Sequence, residues 1–191
     1  MTKNKGRAAR LQLVLIALVF LGPLVLAAWL YFGGSAFQPA GRTNHGELLK
    51  PLVNIREALP DSSIHDHNDG RWLLVYANDA TCDADCEFAL YTMRQSRLML
   101  GMEMDRLVRV FLHGESAPYT VYLADEHTGL ITLSDSGFSA LLKNKRPSER
   151  SAGGYYLVDP LGNIVMYFPP DIEPYDMVED IKRLLKFSRI G

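Results

Sequence analysis

Residues 72–112 read WLLVYANDATCDADCEFALYTMRQSRLMLGMEMDRLVRVFL, and the fold turns on how this stretch divides. Residues 72–76 are continuously apolar, with Asp69-Gly70 before them and Asn78-Asp79 after, the pattern of a short strand buried on both faces. From Cys82 to about Leu100 the period changes. Cys86, Leu90, Met93 and Leu100 recur at helical spacing, Arg94 and Gln95 fall on the polar side, and Arg97 interrupts the stripe. Gly101 is a stop signal. A second strand follows at 107–112, and Gly114 ends it. Two strands joined by one such helix form a right-handed crossover with parallel strands, which sets Cys82 at the first turn of the crossover helix.

Toward the C-terminus, 137–143 suggests a helix. Residues 155–158 and 164–168 are β-rich and flank Asp159-Pro160-Leu161-Gly162-Asn163, a strong hairpin signal. Residues 175–187 put Met177, Val178, Ile181, Leu184 and Leu185 on one face of a last helix, with Glu179, Asp180, Lys182, Arg183 and Lys186 opposite. Strand, helix, strand, helix, hairpin, helix is the element order of the thioredoxin fold. The fold class expected is therefore α/β and thioredoxin-like, occupying 71–191.

Toward the N-terminus, residues 33–70 are rich in Gly, Pro, Asn, Asp and Ser and read as a tether with one short amphipathic piece at 47–59. Before it, 11–32 is an uncharged apolar stretch of about 22 residues, enough at 1.5 Å each to cross a hydrocarbon core of roughly 30 Å. Gly22 and Pro23 lie within it, which membrane helices tolerate. Trp29 and Tyr31 sit where interfacial aromatics belong. Residues 1–10 carry Lys3, Lys5, Arg7 and Arg10 and no acid, so the positive-inside rule keeps this head cytoplasmic and places Gly33 onward outside. A cleaved signal peptide is the rival reading, but the stretch is long for one and no clear A-x-A site follows. Net charge is −2 overall, yet the basic head leaves 16 basic against 22 acidic residues beyond it, about −6. So acidic a surface argues against a nucleic-acid partner.

Cys82 and Cys86 are the only cysteines. On a helix their Cα atoms would lie roughly 6 Å apart, within reach of a disulfide. The same pair could present two thiolates to Cu(I), the soft ion they favour. A helix N-terminus stabilises thiolates, whereas Asp83, Asp85 and Glu87 oppose them and favour a cation. Thiol exchange, copper handling and a static structural bridge all remain open on spacing alone.

The chain at this point resembles the Sco/SenC family of membrane-anchored, thioredoxin-fold cytochrome c oxidase assembly factors. The resemblance rests on the anchor, on Thr81-Cys82-x-x-x-Cys86 after the first strand, and on Tyr156-Leu157-Val158-Asp159-Pro160-x-Gly162 with its closing helix. It implies a bacterial inner-membrane protein with a periplasmic domain, a respiratory oxidase subunit or assembly factor as partner, and copper handling or thiol-disulfide oxidoreductase activity at Cys82 and Cys86. The sequence departs from the family in two places. Asp83 and Glu87 stand where the family has prolines, and Ser151 stands where it has a copper-binding histidine. Nor does a proline directly precede 155, where thioredoxin oxidoreductases carry a cis-proline. His113, ending the second parallel strand at the same edge as the crossover-helix start, is the candidate replacement metal ligand. The alternatives are a non-catalytic scaffold with a structural disulfide and a general periplasmic thiol-disulfide protein. His65-x-His67 reads as a pair in the tether, and His45 and His127 show no apparent partner. Met93 reads as core, while Met99, Met102 and Met104 cluster about the helix end without a ligand pattern.

Overall fold

The computed structural model describes residues 3–32, 44–114, 120–150 and 153–188. The chain divides into two units, Met1–Thr43 and Asn44–Gly191. In the first, helix α1 (Lys3–Phe32) runs without interruption through Gly22 and Pro23. Its window Arg10–Leu30 has a mean hydropathy of 2.7 and length enough to cross a membrane.

In the second unit the expected crossover is present: β2 (Trp72–Asn78), α4 (Ala84–Met99), a 3-10 turn (Gly101–Arg106) and β3 (Leu107–His113). β2 and β3 pair in parallel from Trp72↔Leu107 to Asn78↔His113. Gly101 adopts φ +63, the left-handed conformation in which a side chain is disfavoured, and so ends α4 where the sequence put the stop. The hairpin of β5 (Tyr155–Val158) and β6 (Asn163–Phe168) pairs antiparallel, and β5 lies antiparallel beside β2. Its turn is tied by Asp159, whose Oδ1 accepts from the Leu161 and Asn163 amides at 2.9 and 2.8 Å. α6 (Ser136–Lys145) starts on Asp135, whose carboxylate accepts from the Phe138 amide at 2.8 Å, and α7 (Pro174–Phe187) starts on a proline that lacks only a dispensable donor.

The structure differs from the expectation at 44–70. These residues belong to the domain: they carry β1 (Glu47–Asn54), α2 (Ile55–Ala58) and α3 (His65–Asn68). β1 pairs antiparallel with β6, and with a further strand β4 (Leu130–Leu133) the sheet order is β1-β6-β5-β2-β3-β4. The polar composition misled because side chains tie this segment down. The Gly46 amide donates to buried Asp180 at 2.8 Å, and fully buried Asn68 donates to the Arg71 and Asp159 carbonyls. Ile55 and Ile64 are wholly inaccessible. Truncating either to alanine should therefore cost about 2–5 kcal/mol, as for any core aliphatic, and be read as a lowered urea midpoint. A tether residue would show almost no change.

Two elements had no counterpart in the sequence reading: α5 (Thr120–Glu126) and β4 (Leu130–Leu133), which pairs in parallel with β3. β4 has four residues, half-exposed save for exposed Thr132, so neither alternation nor an apolar run marks it. The sheet separates two cores. Trp72, Leu74 and Tyr76 face α4 and α7, with Leu90, Met93, Met177 and Ile181. Leu73 and Val75 face the other way, toward Ile55, Phe138 and Leu142.

Candidate functional site

At the carboxyl end of β2 the chain turns sharply. Asn78 Oδ1 accepts from the Ala80 amide at 3.0 Å, and the backbone then extends to Asp83, at φ −101 and ψ −171. Asp83 caps α4: its Oδ1 accepts from the Cys86 amide at 3.1 Å, and its carbonyl accepts the first helical bond, from Glu87, at 2.9 Å. This corrects the expected placement of Cys82. It lies one residue before the cap rather than in the first turn, because Asp83 is the stronger capping residue. Cys86 remains inside that turn.

The two sulfurs are joined in a disulfide, with Cα atoms 5.1 Å apart. The partners are unequal. Cys86 is wholly buried beside Leu90 and Met93, while Cys82 is half-buried at the rim of the same core. Any external thiol therefore meets Cys82.

At the start of α4 lies a cavity of about 310 Å³ lined by Tyr76, Asp79, Asp83, Asp85, Arg146 and Tyr156, among others, but by neither cysteine. The Tyr76 hydroxyl is pushed up to about 12, by burial first and then by the charges of Asp83 and Asp85. Asp79 is held below the usual carboxylate range by its hydrogen bonds to Lys143, first, and to Ser139, whose hydroxyl donates at 2.7 Å. Tyr155, stacked at a tilt 5.7 Å from Tyr76, is likewise raised to about 12 by burial. For these two tyrosines the unfolded chain loses its proton near pH 10 and the folded chain near 12. Their contribution is thus whole below pH 10 and lost as pH rises toward 12. Stability should fall across that window, with phenolate absorbance appearing as the chain unfolds. A complete phenolate titration near pH 10 in still-folded protein would contradict it.

His113 ends β3 directly opposite Asn78, on the edge the sequence assigned to it. Its Nδ1 lies 2.7 Å from the Gly114 carbonyl, and it lines a neighbouring cavity of about 520 Å³ with Asp79, Asp135, Ser139 and Lys143. Neither cysteine lines that cavity either. Among the described residues no group of three or more His, Cys, Asp and Glu side chains converges as a metal site. Ser151 lies outside the described residues. Among the described residues the donors brought together are the two sulfurs of Cys82 and Cys86, joined to each other. His65 packs within the domain, with Nε2 2.6 Å from the Leu59 carbonyl. His45 lies 3.4 Å from both Asp176 and Glu179, partners that sequence distance concealed. His127 is buried, and its imidazolium is disfavoured by burial first and then by Arg94 and Arg109. Met93 is core as expected, whereas Met99 and Met102 are exposed.

Sequence reasoning missed the capping role of Asp83 and the neighbours Tyr76 and Asp79. Asp83 was legible, since an acid three residues before the first buried helical position is an N-cap signal. Tyr76 gave no signal beyond strand core.

A parallel crossover whose helix opens on a disulfide, backed by a hairpin and a closing helix, defines a thioredoxin-fold protein, and this one carries an apolar N-terminal helix as well. Residues 72–188 match the family model described as transmembrane-like, thioredoxin-like, C-terminal domain, and residues 3–34 match transmembrane-like, N-terminal domain. The chain belongs to this transmembrane-like, thioredoxin-like family.

Its fold is that of the Sco proteins. The apo Sco1 protein from Thermus thermophilus is 16% identical, covers 76% of this chain and 99% of its own, and superposes with a TM-score of 0.54. Yeast Sco1 with copper bound is 16% identical over 76% of this chain and 90% of that one, with a TM-score of 0.51. Arabidopsis thaliana ScoI with copper bound is 17% identical over 65% and 89%, also with a TM-score of 0.51. No curated protein matches the chain.

Proposed function

We propose that this protein is a membrane-anchored accessory factor in haem-copper oxidase assembly, exchanging electrons through Cys82 and Cys86 on the periplasmic side of a bacterial inner membrane. The observation that carries the reading is the asymmetry of the pair: a half-buried sulfur before the helix cap and a wholly buried one within the first turn. In the reduced protein the Cys82 thiolate attacks a disulfide of the partner, one partner sulfur leaves as a thiolate, and a mixed disulfide forms. Cys86 then attacks the Cys82 sulfur, expelling the second partner thiol and closing the bond seen here. Two electrons and two protons pass to the partner, and a thiol donor on the same face restores the dithiol. The Sco-like fold and the apolar helix support the oxidase partner and the location.

A scaffold with a static bridge is favoured by one detail. Asp83 occupies the Cys86 amide, a donor that would otherwise stabilise a thiolate, and Asp85 and Glu87 add charge of the wrong sign. Equilibration with glutathione separates the two. A reduction potential between roughly −120 and −270 mV supports exchange, and one below about −300 mV supports the scaffold. Tight stoichiometric Cu(I) binding by the reduced chain would move the assignment to copper delivery.

A further inference from the structure

Among the described residues, the outer face of α4 stands exposed. Ala84, Phe88, Tyr91, Gln95 and Leu98 follow one another at intervals of four, three, four and three residues, which confines them to an arc of about 80° over about 21 Å of helix. Ala84 is exposed and Gln95 half-buried, while Phe88, Tyr91 and Leu98 are 58%, 46% and 54% exposed. Met99 and Met102 continue the apolar surface at 40% and 99% exposure. Phe88 and Tyr91 already stack on each other at 6.4 Å, so the seam is ordered without a partner. Alternation of three and four with a single polar residue, the fourth of the five, is the spacing by which one helix receives another.

We infer that this seam docks an amphipathic helix of a partner protein, with a Lys or Arg at the end of that helix nearest the disulfide. The inference rests on the exchange reading, because the seam begins two residues beyond Cys82 and a helix seated on it holds its own protein's sulfurs beside that residue. Charge selects the occupant. Asp85 and Glu87 flank the seam at its disulfide end and are exposed. At the far end Arg94 pairs with Glu126 and Arg97 with Asp105, so the cations there are spent within the chain. A second copy laid parallel would set acid against acid, and one laid antiparallel would find those arginines taken. An anionic lipid surface would be repelled at the disulfide end. A helix with a basic end is attracted there.

The test uses the full chain in its native membranes, carrying p-benzoylphenylalanine at Gln95 and Cys86→Ser to hold partners on Cys82. Irradiation should yield an adduct with the same protein that is found in the mixed disulfide. The linked peptide should be an apolar, helix-forming stretch with a Lys or Arg beside it. Leu98→Glu, on an exposed position, should lower both adducts at least tenfold while leaving the reduction potential of the otherwise unmodified chain unchanged, and Glu87→Lys should lower them several-fold. An adduct with a second copy or with lipid, no adduct, or a mixed disulfide indifferent to Leu98→Glu would overturn the docking surface. A helix adduct without any mixed disulfide would keep the surface and remove the exchange reading instead.

Discussion

Replacing Cys82 and Cys86 together by serine will reduce oxidase activity in the membranes of the producing cell by at least tenfold, with the variant itself present at normal level. The folded domain survives the change because a five-residue loop contributes only about 2 kcal/mol of cross-link stabilisation, while the two cores flanking the sheet stay intact. On the proposed exchange function, what is lost is the two-electron couple. The single variants divide the work further. Cys86→Ser leaves the accessible sulfur without its resolving partner and accumulates mixed disulfides. Cys82→Ser leaves a thiol with no exposed surface and accumulates few. Full oxidase assembly in the double variant removes the proposal, and equal trapping by both single variants removes the assigned order of attack.

Gly154→Ala will cost at least about 3 kcal/mol of stability, more than most single substitutions. Gly154 enters β5 at φ +94, where a side chain alone is penalised by about 1–3 kcal/mol. A Cβ there would also lie 2.5 Å from the Tyr167 hydroxyl oxygen and 2.6 Å from the Phe168 carbonyl oxygen. Neither atom yields readily, since Phe168 is paired in the sheet and the Tyr167 hydroxyl donates to the Gly153 carbonyl at 3.1 Å. Gly153 supplies the control. It has nearly the same φ, +92, but its Cβ would meet nothing nearer than Pro170 at 3.6 Å, so Gly153→Ala should lose only the backbone component. Urea midpoints of the two variants decide the matter, and equal losses would show that crowding contributes nothing. The site feels the first change as well, because β5 begins with Tyr155 against Tyr76.

The parts of this architecture visible in the sequence are those whose burial is written in runs or periods. β2, β3, α4, α7 and the hairpin all carry such patterns, and each appears within one or two residues of its expected bounds. The segment 44–70 does not. Its hold on the domain comes from Asn68, Gly46 and Asp180, polar groups whose partners lie far along the chain, and no local pattern announces a hydrogen bond across 134 residues. At the site, the pairing of Cys82 with Cys86 was one of several outcomes their spacing allowed. The unequal burial of the two sulfurs depends on where the helix is capped, a choice made by Asp83 within a run of three acids in five residues.

β1 sets the order in which the domain can be completed. Among the described strands it is the first to leave the ribosome, yet its partner β6 is the last, with Glu47 opposite Tyr167. Throughout synthesis, Leu49, Ile55 and Ile64 wait for the last part of the core they share, Ile164 and Tyr167 of β6. Until β6 is made, both the early strand and the unpaired edge of β5 are exposed to other nascent chains. A stalled or truncated product lacking the last thirty residues would therefore be a target for proteolysis rather than a partly active protein, and cells that slow synthesis should accumulate its fragments first.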